Sequence, residues 1–337
     1  MKARVVHLLG QAGFGWAVPL VLLGYGEAPR EQFRALWTKI GLPLLALGIF
    51  LLLWAAGARQ VDTSLGQLPG PAQTWEQYQG LHAEHLAERQ RAEAFYQRQE
   101  ERNARKREKD PEAELRWRDY TGAPTFYDQI LTSLKTVFVG FVLAAIIAIP
   151  LGVACGLSPS LNAALSPLIQ VLKPISPLAW LPIVTMVVSA VYVSPDPAVA
   201  KSFINSAITV TLCSLWPTLI NTAVGVSSID RDLINVGRVI NLPLHARVLR
   251  IAVPASLPMI FTGLRISLGI GWMVLIASEM LAQNPGLGKF VWDEFQNGSS
   301  NSLGRILVAV IVIGLIGFLL DWLMLTLQRL VSYEPPR

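Results

Sequence analysis

The sequence predicts an all-α, polytopic membrane protein with about six transmembrane helices. Of its 337 residues, 52% are hydrophobic and 15% charged, whereas charged residues make up about a quarter of a soluble domain. Apolar runs of about 20 residues are long enough to cross a bilayer as helices, and they recur at 41–57, 128–157, 166–191, 201–226, 255–282 and 303–330. A span exposed to lipid must satisfy its own backbone hydrogen bonds, so each run reads as helix.

Residues 1–40 read as a cytoplasmic or interfacial amino-terminal segment. Val5–Tyr25 is apolar but interrupted by Gly10, Gly13, Gly15, Pro19 and Gly24, and Trp16 and Tyr25 suit a headgroup position. We read it as lying on the cytoplasmic face rather than as a seventh span. No small-residue cleavage site follows it. The first transmembrane helix, 41–57, is short and edged by Arg59. Residues 58–127 then form an external helical insert. Thr74-Trp75-Glu76-Gln77 looks like a capping box, 76–109 is rich in Glu, Arg, Gln and Ala, and Asp110-Pro111-Glu112 reads as a second helix start. The pairs Glu101/Arg105, Glu112/Arg116 and Glu114/Arg118 have i,i+4 spacing. The expectation is a solvated helical hairpin, with a contact surface for a soluble partner as its functional reading. Residues 128–332 form a five-helix core. The 227–254 loop carries four arginines and the 283–302 loop only Lys289 against Asp293 and Glu294, which puts the first inside and the second outside.

The chemistry that is missing narrows the class. Cys155 and Cys213 fall inside spans and imply no disulfide, metal or nucleophile. The net charge of +5 belongs largely to membrane-flanking arginines, so no nucleic-acid partner is implied. No phosphate-binding Gly-rich loop ending in Lys-Ser/Thr occurs. His7, His82, His85 and His245 all lie outside the well-formed spans. No catalytic or metal site and no cofactor is expected on this chain, and any energy source must sit on another.

Residues 230–258 are a polar island between two apolar runs. Arg231, Arg238, Arg247 and Arg250 sit there with Asp230 and Asp232, and two short helical patterns meet at Leu242-Pro243. The layout resembles the coupling loop of ABC importer permeases, whose pattern is Glu-Ala-Ala, three residues, Gly, nine residues, Ile-x-Leu-Pro. Ile251-Ala252-Val253-Pro254 matches its end. The start departs from it: Asn235-Val236-Gly237 stands for Glu-Ala-Ala and Asn241 for the Gly. Asn is the residue after Gly that best tolerates a left-handed turn. Further fragments follow in order: Ser176-Pro177-Leu178-Ala179-Trp180-Leu181-Pro182, Ser214-Leu215-Trp216-Pro217, Ile260-Phe261-Thr262-Gly263-Leu264-Arg265, Ser278-Glu279-Met280-Leu281, Gly286-Leu287-Gly288 and Val291-Trp292-Asp293. Over 60–70 and 125–332 the chain is similar to the nitrate/bicarbonate/sulfonate branch of these permeases. The 76–119 insert departs from the shorter members.

The resemblance implies a type I importer permease fold in a bacterial inner membrane. Two permease copies would pair around the path, each docking a cytosolic ATPase that carries ATP and Mg²⁺, and an external binding protein would deliver a small oxyanion. Nitrate is the first choice, with nitrite, cyanate and bicarbonate, or an alkanesulfonate of the taurine type, as alternatives. The ATPase-coupling residues would be Asn235, Val236, Gly237, Arg238, Asn241, Leu242 and Pro243. Of different class are a gradient-driven secondary transporter, which expects a paired broken-helix repeat, and a membrane scaffold.

Ionisable residues within spans are expensive and mark paths or pairs. Arg265 and Asp321 each lie about ten residues from a cytoplasmic helix end, about 15 Å deep, and are expected to pair. Lys135 and Glu279, nearer the outer ends, form a second candidate pair. Lys173 has no obvious acid and sits in a segment broken by Pro174, Pro177 and Pro182, so it either snorkels or meets an anion. Irregular backbone is tolerated where it lines a cavity, so the candidate path comprises Lys173, Ser176, Pro177 and Trp180, with Arg265. Gly152-Val153-Ala154-Cys155-Gly156 is a small-xxx-small pattern expected to pack within the subunit.

Overall fold

The computed structural model describes residues 15–26, 28–63, 66–110, 115–193, 199–230, 241–299 and 301–331, together with Val6, Asp232, Leu233 and Val239. Its helices are α1 (Val18–Gly24), α2 (Pro29–Ala58), α3 (Pro71–Lys109), α4 (Phe126–Leu157), α5 (Pro159–Leu172), α6 (Pro177–Val191), α7 (Lys201–Ser227), α8 (Leu244–Ala282), α9 (Leu287–Asn297) and α10 (Ser302–Val331). A two-residue ribbon, β1 (Asp62–Thr63) against β2 (Gly66–Gln67), turns the chain between α2 and α3. Five helices (α2, α4, α7, α8 and α10) are long and apolar enough to span, and α5 with α6 makes a sixth if the bent pair counts as one.

The core is built around α7, most of which is buried from Asn205 to Val226. Helices α4 and α8 flank it at close range, because glycines face it. A Cβ at Gly152 of α4 would lie 2.6 Å from Thr222 Cβ and 2.7 Å from the Leu219 carbonyl oxygen, and one at Gly263 of α8 would lie 2.8 Å from Thr218 Cα. Small residues let two backbones approach where lipid supplies no hydrophobic drive. The Gly152–Gly156 pattern is thus a contact inside the subunit. Thr218 and Ser267 exchange a hydrogen bond of 2.7 Å across the α7–α8 seam.

Several expectations are corrected. The helix that carries the first apolar run begins well before 41: α2 is one helix of 30 residues that crosses the 40/41 boundary. Its charged residues all fall before Leu42 and leave the apolar stretch intact. The helix widens into a π turn at Trp37–Gly41, just before Pro43, and α8 does the same at Val248–Ala252, just before Pro254. Proline has no N–H and its ring crowds the carbonyl four residues back, and a wider turn relieves that clash. The 166–191 run is two helices, α5 and α6, bent by 100°. Pro174 and Pro177 withhold two donors there, and Ser176 caps the new helix by accepting from the Leu178 amide at 3.3 Å.

The insert is not a hairpin of two helices. α3 starts at Pro71 rather than after Thr74, with the Gln73 side chain accepting from the Gly70 amide at 2.9 Å. It runs 39 residues. Pro111 to Glu114, which hold the second predicted start and half of two predicted ion pairs, lie outside the described residues; beyond them 115–125 is neither helix nor strand, and its alternate residues 116, 118 and 120 bond to α3 in the manner of extended chain. Side chains of α3 hold this return strap. Gln99 donates to the Arg118 carbonyl (3.1 Å) and accepts from its amide (2.9 Å), and Asn103 donates to the Arg116 carbonyl (3.1 Å). Tyr96 accepts from the Tyr120 amide at 3.1 Å. The Tyr120 hydroxyl donates to Glu88 at 2.7 Å, a bond that holds the phenol above its usual pKa. Of the 5–25 segment the described part holds only the seven-residue α1.

Candidate functional site

Three regions gather polar and charged residues, two of them singled out by sequence. The first is the elbow. Asn241 has φ +51°, the left-handed conformation expected of it. Leu242 and Pro243 follow without helical structure, and the Pro243 carbonyl accepts from the Arg247 amide at 3.0 Å to start α8. Asn235, Val236, Gly237 and Arg238 lie outside the described residues. One side of the elbow is anchored: Ala252, Val253 and Val248 pack with Val153 of α4 and with Val226 and Ile229 at the end of α7. Leu244 at the start of the helix and Leu249 are both exposed. From Leu244 the helix is continuous to Ala282, 39 residues, or about 58 Å at the α-helical rise.

The second region is the bend between α5 and α6. It gathers Lys173, Ser176 and Pro177, with Trp180 one turn into α6. Lys173 is exposed and makes no ion pair among the described residues. Trp180 is half-buried, and its indole N–H is buried without a partner among the described residues. Arg265 is engaged differently. On α8 it forms a bidentate pair with Asp321 of α10, at 2.6 and 2.7 Å, as its depth predicts. This pair is the middle rung of an antiparallel seam. Thr262 and Gln328 bond at 3.0 Å on one side of it, and Trp272 donates to the Ile313 carbonyl at 3.0 Å on the other.

The seam gives a double-mutant expectation. Arg265→Gln or Asp321→Asn should each lower thermal stability by about 1–2 kcal/mol, less than the 3–5 of a sealed pair, since the two side chains are 36% and 48% exposed. The double replacement should recover part of the loss, because neither charge is then left alone. Melting temperatures of the four purified proteins test it, and strictly additive losses would mean that the two groups do not act as a pair.

Sequence reasoning missed the third region, at the insert end of the core. Glu279 does not meet Lys135, which is exposed. It is fully buried and held by the Ser133 hydroxyl (2.8 Å), the Gly288 amide (3.0 Å) and the Asn284 side chain (3.4 Å). Ser133 also accepts from the Leu287 amide at 2.8 Å. The network thereby ties α4, α8 and the start of α9 together. Beside it, Arg305 of α10 joins the buried Glu294 of α9 at 2.9 Å and reaches Glu84 of α3. Leu81 of α3 is buried in the same cluster as Phe126 and Phe290. The proximal half of the insert is thus part of the core. Ser133 and Glu279 are 146 positions apart, and no local pattern connects them.

A core of five or six membrane-length helices, packed closely through glycines, defines a polytopic helical membrane protein. The match to a family model over residues 140–333 is more specific: the chain belongs to the binding-protein-dependent transport system inner membrane components. It is 40% identical over 204 residues to the nitrate import permease protein NrtB of Synechococcus elongatus, covering 60% of this chain and 69% of that protein. It is 42% identical over 202 residues to the bicarbonate transport system permease protein CmpB of the same organism, covering 60% and 68%. Among solved structures it resembles the inward-facing MetNI methionine ABC transporter, with a TM-score of 0.52 at 14% identity, covering 61% of this chain and 96% of that one. That likeness establishes the ABC transporter permease fold.

Proposed function

We propose that this chain is the membrane subunit of an ATP-driven importer for a small oxyanion, nitrate foremost. The observation that carries the reading is the elbow: an exposed apolar edge at Leu244 and Leu249, a left-handed Asn241, and an unbroken helix from the elbow through the membrane. An edge of this kind on a loop between spans is available to a protein partner. In this reading Asn235 to Arg238 and Asn241 to Pro243 seat in a cytosolic ABC ATPase, which alone carries ATP and Mg²⁺. Closure of two ATPases moves two copies of the elbow, and the paired permeases pass between inward- and outward-facing states. Differential affinity of ATP for the closed state drives the change.

The elbow faces the cytoplasm and the insert end faces outward, in a bacterial inner membrane, where a binding protein delivers substrate. The bend at Lys173, Ser176, Pro177 and Trp180 lines the path, and its free lysine offsets part of the cost of dehydrating an anion. Arg265 borders the path chiefly as the partner of Asp321. Relatives named for nitrate and for bicarbonate at similar identity support the oxyanion class.

Reconstitution with the ATPase and binding protein, with uptake measured for nitrate, nitrite, cyanate, bicarbonate and taurine, tests the reading. In the same assay Gly237→Trp is expected to abolish ATPase assembly or to leave ATP hydrolysis running without uptake. Normal coupled transport in that variant would remove the coupling assignment.

A further inference from the structure

We propose that the strap 115–120 on the distal half of α3 is a docking edge for an acidic, extended segment of the external binding protein. The inference rests on the orientation and partner given under the proposed function, and it concerns a part of the chain that the family match at 140–333 does not include. Gln99 and Asn103 are both buried, and their amides bond only to the backbone of Arg116 and Arg118 within the strap. A helix that needed only to be soluble would have no use for such a clamp.

The pattern of bonds shows which edge is free. Arg116, Arg118 and Tyr120 turn their backbone groups to α3. In an extended chain alternate residues point theirs the opposite way, so Trp117 and Asp119 direct theirs outward, and no hydrogen bond engages them among the described residues. An unpaired strand edge is a template for a strand of another chain. Trp117 lies on this stretch at 63% exposure, and an aromatic residue held on a rigid support is a typical anchor of an interface. The distal turns of α3 carry a basic group: Arg98, Arg102, Arg105, Lys106 and Lys109 gather around Glu101, which selects an acidic partner and speeds encounter with it. The proximal half of α3 is fastened to α4, α9 and α10, so a load on the strap reaches the core.

The test uses the complete transporter in phosphatidylcholine nanodiscs, with ATP hydrolysis measured against rising concentration of its purified binding protein at low and high salt. Trp117→Ala should raise the half-maximal concentration by about tenfold. Asp119→Pro, which removes an outward donor while leaving the four bonds to α3 intact, should do the same. Replacing Arg116 and Arg118 together by Glu should weaken the response and remove its salt sensitivity. Hydrolysis without binding protein should be unchanged throughout, which shows that the variants are folded. Wild-type stimulation with unaltered half-maximal concentrations in Trp117→Ala and Asp119→Pro overturns the inference alone. Binding to phosphatidylglycerol vesicles that these variants lose, with the binding-protein response intact, assigns the strap to lipid and also overturns it. No stimulation of the wild type would overturn the importer reading and this inference with it.

Discussion

Glu279→Ala is expected to prevent recovery of folded protein. Truncation leaves the Ser133 hydroxyl, the Gly288 amide and one Asn284 donor facing a cavity sealed from water. Each buried unsatisfied group costs about 1–3 kcal/mol, so three together approach the whole stability of a typical domain, about 5–15 kcal/mol. The loss is also geometric, since the carboxylate fills the space against Gly286, where any Cβ would collide with it. Glu279→Gln keeps the shape and one acceptor oxygen while turning an NH₂ group toward a donor, so it should fall between. Detergent-solubilised protein, followed by size-exclusion profile and thermal unfolding, gives the readout. A monodisperse Glu279→Ala protein with wild-type melting temperature would show that the network carries little of the stability.

Gly152→Leu should be as damaging, for a steric reason. Overpacking a core typically costs about 1–3 kcal/mol, but here a contacting atom is the Leu219 carbonyl oxygen, which no rotamer change can move aside. Helix α4 would have to lift from α7 along its length. Even Gly152→Ala should lower stability measurably. Gly314→Leu is the matched control, because a Cβ there meets nothing within 4 Å, and it should behave as wild type. Equal loss in both variants would point to insertion or expression rather than helix packing.

These expectations also mark what could be read from the chain alone. Apolar runs located the spans because the bilayer imposes a length on them. Asn241 was legible as a left-handed residue, since few residues tolerate that backbone, and Arg265 with Asp321 because charge at depth demands a partner. The 100° bend was half legible. Its prolines were visible in the sequence, but proline kinks some helices and ends others. Glu279 was assigned to Lys135 by opposite charge, whereas burial excluded the long lysine and favoured a serine, an asparagine and one backbone amide. The strap was not legible at all. Side-chain amides gripping a backbone leave no periodicity, and the same Gln- and Arg-rich composition suits a free helix equally well.

The strap also constrains how the insert can change in length. Gln99 and Asn103 are four residues apart on a helix, about 6 Å of rise, and the groups they hold on Arg118 and Arg116 are two residues apart in extended chain, about 6.6 Å. The two spacings are commensurate, so the ladder keeps its register only if a helical turn and a strand dipeptide are gained or lost together. Single-residue insertions in α3 beyond Glu88 would rotate the gripping side chains off the strap, while paired insertions would lengthen it and leave the grip in place. Related chains with distal extensions of other sizes should therefore differ in steps of about six residues rather than continuously.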